Sequence, residues 1–518
     1  MTENRKLYLA VALCAIVVHV AALWNQFALD DRLIVVFNPL VHSITGVWDA
    51  FATPYWPANL GGLVYRPLPI ASYALDWQLH SPAWFHGVNL LWHAGTAVAV
   101  TALARRWTSA TAALSAGLIF AVHPVHVEVI ATVVGRADLM ATVATCLSVY
   151  AALVLDNVPW SSAFLALGML SKESAAATPA LIALGWALGL GGAAGAAGRP
   201  TRRRMVVFAA SWLAVAVPYL ALRWVVLHPY AGFPNLAPQF AGQGPLAIRF
   251  TAVAAFVDVV RLLLFPLHLQ ADYSPMERVA VTTPLAPGFL LGLLCLGAWV
   301  VLMIVAWRRG GGGGRGGGRR IEAYGLGWIA IAYLPVSHLV VPHGVLIAER
   351  LLYLPSVGLA LAAGAALDRL PRRSWMIALC VVVTAGAVRS AVRVPVWRDN
   401  RTAALAMIAD APLSYRSWDY LGWEYLWAGR DERALGSFRR AGAIYPGDAR
   451  VYLAAAHMAD VLGRTGLADS LLMRADSVCP RCPTAYRNQA SAARLRGDTA
   501  TARFLLEHLQ PTPPPKPR

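Results

Sequence analysis

About eleven apolar runs, separated by short loops that carry Arg, leave this chain few ways to fold. A helix needs roughly 20 apolar residues to cross the hydrocarbon of a bilayer. Runs at 7–25, 85–104, 110–127, 137–155, 160–171, 174–190, 205–227, 288–307, 321–340, 351–368 and 374–394 meet or approach that length. Of 518 residues, 58% are hydrophobic and 14% charged, and the mean hydropathy of +0.53 excludes an ordinary soluble enzyme. The expected class is therefore an all-α polytopic membrane protein. The first run has no small-residue cleavage site before Trp24-Asn25 and reads as a retained helix, not a signal peptide.

The net charge of +17 does not point to nucleic acid, because the Arg residues sit in the short loops that flank the apolar runs. Such charge orients helices, with Lys and Arg favouring the cytoplasmic side. With the N-terminus inside at Arg5-Lys6, the inner turns carry Arg105-Arg106, Arg202-Arg203-Arg204, Arg308 through Arg320, and Arg369 with Arg372-Arg373. The apolar segment 246–268 contains Arg249, Asp258 and Arg261, and crossing there would turn the Arg308–Arg320 loop outward. It is expected to be a re-entrant or interfacial helix on the outer side. The Gly-rich stretch "RRGGGGGRGGGRR" reads as a flexible cytoplasmic linker, since it lacks the GK[ST] of a phosphate-cradling loop. The six Cys form no disulfide framework or zinc pattern; Cys479 and Cys482 make one CxxC, weak evidence for a redox or metal pair.

From Tyr415 the composition turns to that of a soluble helical unit. In a frame of about 34 residues, the tetratricopeptide period, Trp418, Leu421, Gly422, Tyr425, Gly429, Ala434, Phe438, Ala441 and Pro446 fall where the motif wants large, small and breaking residues. One period on come Tyr452, Ala456, Gly463, Ala468, Leu472, Ala475 and Pro480, and a third set begins at Tyr486. The expected division is a membrane domain over 1–400 with an outer loop at 26–84, about three repeats forming an α-solenoid over 401–510, and a disordered Pro-rich tail at 511–518. Such repeats usually offer a concave surface to a protein or peptide.

Sorted by side, the polar residues gather on the outer face. Asp30, Asp31 and Arg66 lie in the first outer loop; His123, His126, Glu128, Arg136 and Asp138 in the second; Lys172 and Glu173 in the third; Asp272 and Tyr273 in the fourth; Glu349 and Arg350 at the fifth. Ionisable groups at membrane depth are candidates for function. Adjacent acids near several cations suit transfer of a sugar from a lipid phosphate to a hydroxyl. That reaction needs a base for the incoming hydroxyl and positive charge on the departing phosphate. Asp30 or Asp31 would be the base; Arg66, Arg136, Lys172 and Arg350 would hold the phosphate. The donor's polyprenyl tail would lie in the membrane, and neither a metal nor a cofactor is required. Plainer readings exist for each group. The two acids would cap a helix, His123, His126 and Glu128 would bind a metal or serve as hydrogen-bonding groups, Arg136 would pair with Asp138, and Lys172 with Glu173.

"FALDDRLIVVFNP", "YRPLPIASYALDWQL", "FHGVNLLWH", "HPVHVEVIATVVGRADLM", "LSKES" and "AERLLYLPSVGLAL" resemble, in order and over nearly the whole chain, the transmembrane and tetratricopeptide-repeat O-mannosyltransferase family. That family belongs to the GT-C glycosyltransferases, which use lipid-phosphate sugars; its eukaryotic members move mannose from dolichyl phosphate mannose to Ser or Thr of secretory-pathway proteins. The resemblance implies Asp30 as the base and Arg66, Arg136, Lys172 and Arg350 as phosphate contacts. It implies supporting roles for His123, His126, Glu128, Asp138, Glu173 and Glu349, and an acceptor protein or glycan recruited through the repeats. The Ala/Arg-rich composition looks prokaryotic, which implies a bacterial inner-membrane protein with its active site and repeats outside the cytoplasm. Two readings from other classes are a non-catalytic scaffold that gathers periplasmic partners and a lipid-sugar transporter; no inverted repeat supports the latter.

Overall fold

The computed structural model describes residues 3–56, 64–191, 200–230, 236–264, 266–310 and 317–479. Among these residues there are helices and no strands. Among the described residues seven helices are long and apolar enough to cross a membrane: Glu3–Trp24, Pro82–Trp107, Arg136–Leu153, Arg202–Leu227, Pro287–Arg309, Glu349–Leu367 and Arg372–Trp397. An eighth span results if Ala110–Val122 and Pro124–Ala131, bent by 46° at their junction, count as one. Three of the eleven expected spans are shorter helices, Val158–Ser171, Thr178–Ala187 and Gly317–Tyr333. The segment expected at 246–268 is the helix Pro245–Leu264, whose Asp258 is taken by Arg278 at 2.8 and 2.9 Å and by Arg261 at 3.3 Å.

Local chemistry sets where these helices start. Ser81, Ser109, Asn157 and Thr201 each accept a hydrogen bond from a backbone N–H of the first turn, at 3.4, 3.0, 2.9 and 3.3 Å. Each satisfies one of the donors that a helix start leaves open. Pro82 and Pro159 fall at first-turn positions, where the missing N–H costs nothing. Arg105 and Arg106 close helix Pro82–Trp107 at its negative dipole end.

The central core is built from small residues that let backbones approach, as expected where lipid gives helices no hydrophobic reason to associate. A Cβ on Gly325 would strike the carbonyl of Gly358, and one on Gly358 the carbonyl of Gly325. Helices Gly317–Tyr333 and Tyr353–Leu367 therefore meet backbone to backbone. Beside them Trp328 is fully buried and donates to the Leu354 carbonyl at 2.9 Å. The outer faces of Arg202–Leu227, Pro287–Gly310 and Arg372–Arg393 instead expose Leu, Val, Ile and Trp, the pattern of a lipid-facing surface.

After a short helix Asn400–Asp410, the described C-terminal residues form two helical hairpins, Tyr415–Trp427 with Asp431–Ile444 and Ala449–Val461 with Thr465–Val478. Gly429 and Gly463 turn the corners at φ +66° and +73°, a conformation that favours glycine. Gly422, an expected small position, lies against the Phe438 ring of its paired helix, and Gly442 lies against Tyr452 of the next hairpin. Cys479 is disulfide-bonded. Cys482, Pro480, the third repeat and the Pro-rich tail lie outside the described residues, as do 311–316 of the Gly-rich linker.

Candidate active site

The Asp30-Asp31 pair follows the first span, in the turn between Asn25 and a short π-helix, Arg32–Val36. The two carboxylates part company there. Asp31 is buried; its Oδ1 accepts from the Val134 N–H at 2.8 Å and its Oδ2 from the Ala28 N–H at 3.3 Å. It makes no capping bond to the π-helix and instead ties the loop after the first span to the turn before helix Arg136–Leu153. Burial pushes its acid up to about 7 against the pull of the Val134, Val133 and Ala28 N–H groups, and the neighbouring Asp30 adds to the rise. Asp30 is half-buried and, among the described residues, forms no ion pair within 4 Å. Burial raises it above the ordinary carboxylate range; Arg350 draws it back, Glu128 pushes it up, and Arg416 and a hydrogen bond from Tyr420 lower it.

Arg350 acts on it, and Lys172 and Arg66 form a cationic group with Arg350. Arg350 pairs with Glu128, which also accepts the Arg350 backbone N–H at 2.9 Å. Lys172 places its Nζ 2.6 Å from both oxygens of Asp138. Arg66 forks onto Glu173 through Nε and Nη2 at 3.1 and 2.9 Å, and the other oxygen of Glu173 lies 3.7 Å from Arg223. The three pairs are within electrostatic reach of one another: Lys172 feels Arg66 and Arg350, and Arg66 feels Asp138. Burial pulls Lys172 below its usual range, Asp138 opposes that, and the two neighbouring Arg reinforce it. The residues come from one end of the helix bundle: the exit of the first span, the starts of helices Pro67–Trp77 and Arg136–Leu153, the end of Val158–Ser171, and the start of the span Glu349–Leu367. A cation paired to a carboxylate that is itself at the site's edge can exchange that partner for a phosphate oxygen, and a desolvated cation does so with more effect than an exposed one.

Not every expected residue joins this cluster. The Arg136 side chain is 0% exposed and spends its donors inside the protein: on Asp76, on Asn89 Oδ1 at 2.9 Å, on Ser72 Oγ at 3.1 Å and on the Phe85 carbonyl at 3.0 Å, with Tyr73 beneath the guanidinium. It offers a phosphate no free face, and it pairs with Asp76, not Asp138. Lys172 likewise pairs with Asp138 and not with its neighbour Glu173. The reason is geometric: residues one or two apart at a helix end do not face each other. His123 meets the Leu263 carbonyl at 3.0 Å and His126 the Ser356 hydroxyl at 2.7 Å, and both are buried. With Glu128 committed to Arg350, these three serve packing and positioning. Among the described residues no three His, Cys, Asp or Glu are arranged to hold a metal ion. Glu349 is buried, accepts the Gln270 N–H at 2.5 Å, and lies within electrostatic reach of Glu128 and Arg393.

The sequence reading missed Asp76, which lies inside "YRPLPIASYALDWQL" and is an acid among apolar residues, a signal that was there to be used. It also missed Tyr55, whose ring lies 5.3 Å from the Arg66 guanidinium. Arg416 and Tyr420 were hidden for another reason: the repeat frame accounts for their neighbours and says nothing of the face they occupy.

No protein-family model matches the chain. Its curated relatives are protein O-mannosyl-transferases, the family that the motifs resemble. Protein O-mannosyl-transferase TMTC3 of Mus musculus is 24% identical over 89% of this chain and 54% of its own length. TMTC4 of Homo sapiens is 27% identical over 78% of this chain and 62% of its own. Tmtc2 of Drosophila melanogaster reaches 36% identity over 25% of the chain and 15% of its own length. The chain thus spans just over half to three-fifths of the length of the first two. A crystal structure of ArnT from Cupriavidus metallidurans bound to undecaprenyl phosphate covers 97% of this chain and 84% of that one at 16% identity and a TM-score of 0.42, too loose a likeness to carry an argument.

Proposed function

Starting from a chain akin to the protein O-mannosyl-transferases, we propose a membrane glycosyltransferase of the GT-C kind that moves a hexose, mannose by the relatives' names, from a polyprenyl-phosphate donor to a hydroxyl of Ser or Thr in a protein. What supports this reading is Arg350, which acts on Asp30, grouped with Lys172 and Arg66 at one end of a lipid-facing helix bundle. Asp30 takes the proton of the acceptor hydroxyl as its oxygen attacks the anomeric carbon. The bond from that carbon to the phosphate oxygen breaks, the configuration inverts, and the electron pair leaves with the phosphate. The three cations meet the charge that develops there. Asp31 and Arg136 shape the loops that hold this set and touch neither substrate. The raised acidity range of Asp30 suits a base that must accept a proton near neutral pH.

The reaction belongs on the extracytoplasmic side, by the Arg distribution of the loops, and in a bacterial inner membrane by the composition. The two hairpins, with corners at Gly429 and Gly463, support a tetratricopeptide reading of 401–510, and such repeats would hold the acceptor. The competing reading is a scaffold without chemistry.

Full-length protein in proteoliposomes, given polyprenyl-phosphate mannose and a Ser/Thr-rich acceptor, separates the two. Transfer is read by mass spectrometry of the acceptor. The expected result is transfer by the wild type, loss in Asp30→Asn, and a donor KM raised about 10–100-fold in Lys172→Met, the worth of one charge-assisted hydrogen bond. No transfer by the wild type would leave the scaffold as the better account, and wild-type rates in both variants would overturn the assignment of Asp30 and Lys172.

A further inference from the structure

The helix Tyr415–Trp427 has two working faces. Trp418, Leu421, Gly422 and Tyr425 belong to the repeat frame, and Gly422 packs on Phe438 of the paired helix. Arg416, Tyr420, Glu424 and Trp427 recur at intervals of four, four and three, so they form a separate stripe. That stripe lies against the loop that carries Asp30. Trp427 sits 3.8 Å beneath the Arg32 guanidinium, and Glu424 lies 3.5 Å from the same group. Glu424 also accepts from Asn400 Nδ2 at 2.9 Å, and Asn400 Oδ1 accepts the Leu29 N–H at 2.8 Å. Arg416 lies 3.6 Å from Asp272 in another outer loop. Leu29, directly before Asp30, stands at φ +51°, a left-handed conformation that a leucine adopts only when its surroundings hold it there. The residue that holds its N–H comes from the C-terminal part of the chain.

Resting on the reading of Asp30 as the base, we propose that this stripe is a wall of the transfer site, with Tyr420 as the positioning residue that donates its hydroxyl to the Asp30 carboxylate and Asn400 as the clamp on the strained turn before it. The C-terminal helices are then part of the catalytic unit, in addition to whatever acceptor they bind. The charged and titratable groups facing Asp30 are Arg350 and Glu128 from the membrane unit, Arg416 and Tyr420 from the stripe, and Asp31 and Tyr55 from its own loop. A phenol O–H donated to a carboxylate favours the ionised form. Its removal makes the base harder to ionise, so activity is lost first at low pH.

The experiment uses the full chain in proteoliposomes, with kcat/KM measured from pH 5 to 9 in roughly half-unit steps, a range set by the ordinary and raised positions of a carboxyl. Tyr420→Phe keeps the ring and removes the hydroxyl. The expected outcome is a fall of about 10-fold or more at low pH, an acid limb moved to higher pH, and an unchanged donor KM. Asn400→Ala releases Leu29 and is expected to lower kcat at every pH, again with donor KM unchanged; it carries the test if Tyr420→Phe fails to fold. Wild-type profiles in both variants, beside an inactive Asp30→Asn, overturn the wall and leave the base standing. An active Asp30→Asn overturns both.

Discussion

Arg136 offers the sharpest separation between a structural and a ligand-binding cation. Its side chain is fully buried, its ion partner Asp76 is 12% exposed, and its remaining donors go to Asn89, Ser72 and the Phe85 carbonyl. Asp76→Ala would strand a buried charge, which typically costs about 3–5 kcal/mol. Three neutral acceptors still face the guanidinium, so the cost is expected near the lower end, about 3 kcal/mol. Arg136→Met removes the charge and leaves Asp76 with the Trp84 indole N–H at 2.9 Å and some access to water, for about 2 kcal/mol. The double variant Arg136→Met, Asp76→Ala removes both charges from an apolar site. It is expected to be more stable than the sum of the singles by about 2 kcal/mol, within the range for residues in direct contact. The assay is SDS titration of the purified full chain in mixed micelles, followed by tryptophan fluorescence. If Asp76→Ala shifts stability by less than about 0.5 kcal/mol, while Arg136→Met raises donor KM at unchanged stability, Arg136 faces the ligand and the packing argument is wrong.

Two further outcomes follow from the geometry. Asp31 keeps its proton up to about pH 7 in the folded chain and loses it near pH 4 when unfolded. Ionisation between those values favours the unfolded chain, so stability should fall as pH rises from about 4 to 7, by up to about 1.4 kcal/mol per unit. Asp31→Asn should flatten that slope, and an unchanged slope in SDS titrations at several pH values would count against it. Gly325→Ala drives a methyl into the Gly358 carbonyl and should cost about 1–3 kcal/mol. Gly297→Ala, where a Cβ meets nothing within 4 Å, should stay within about 0.5 kcal/mol, and equal effects at the two sites would refute close packing there.

The sequence alone determined the helices, because hydrocarbon compatibility and capping are properties of a single segment. Apolar runs between Arg-bearing loops and glycines at 429 and 463 announce most of the elements without reference to any neighbour. The two short runs between 160 and 190, joined at Ser171–Lys172–Glu173, are short helices in the structure as their length implied, and Gly317–Tyr333 is a third helix below spanning length. The candidate site was legible as a list of residues but not as a set of partners. Asp30 and Asp31 are neighbours in sequence, yet one is sewn into backbone N–H groups and the other faces Arg350 and Tyr420. Arg136 turned to Asp76, Lys172 to Asp138 and Glu173 to Arg66, in each case across the bundle and away from the residue beside it. Consecutive side chains on a helix or tight turn point in different directions, so adjacency cannot choose a partner. Only the packing of one helix on another does that, and it alone brought the Tyr420 face of the C-terminal helices over a loop nearly four hundred residues earlier.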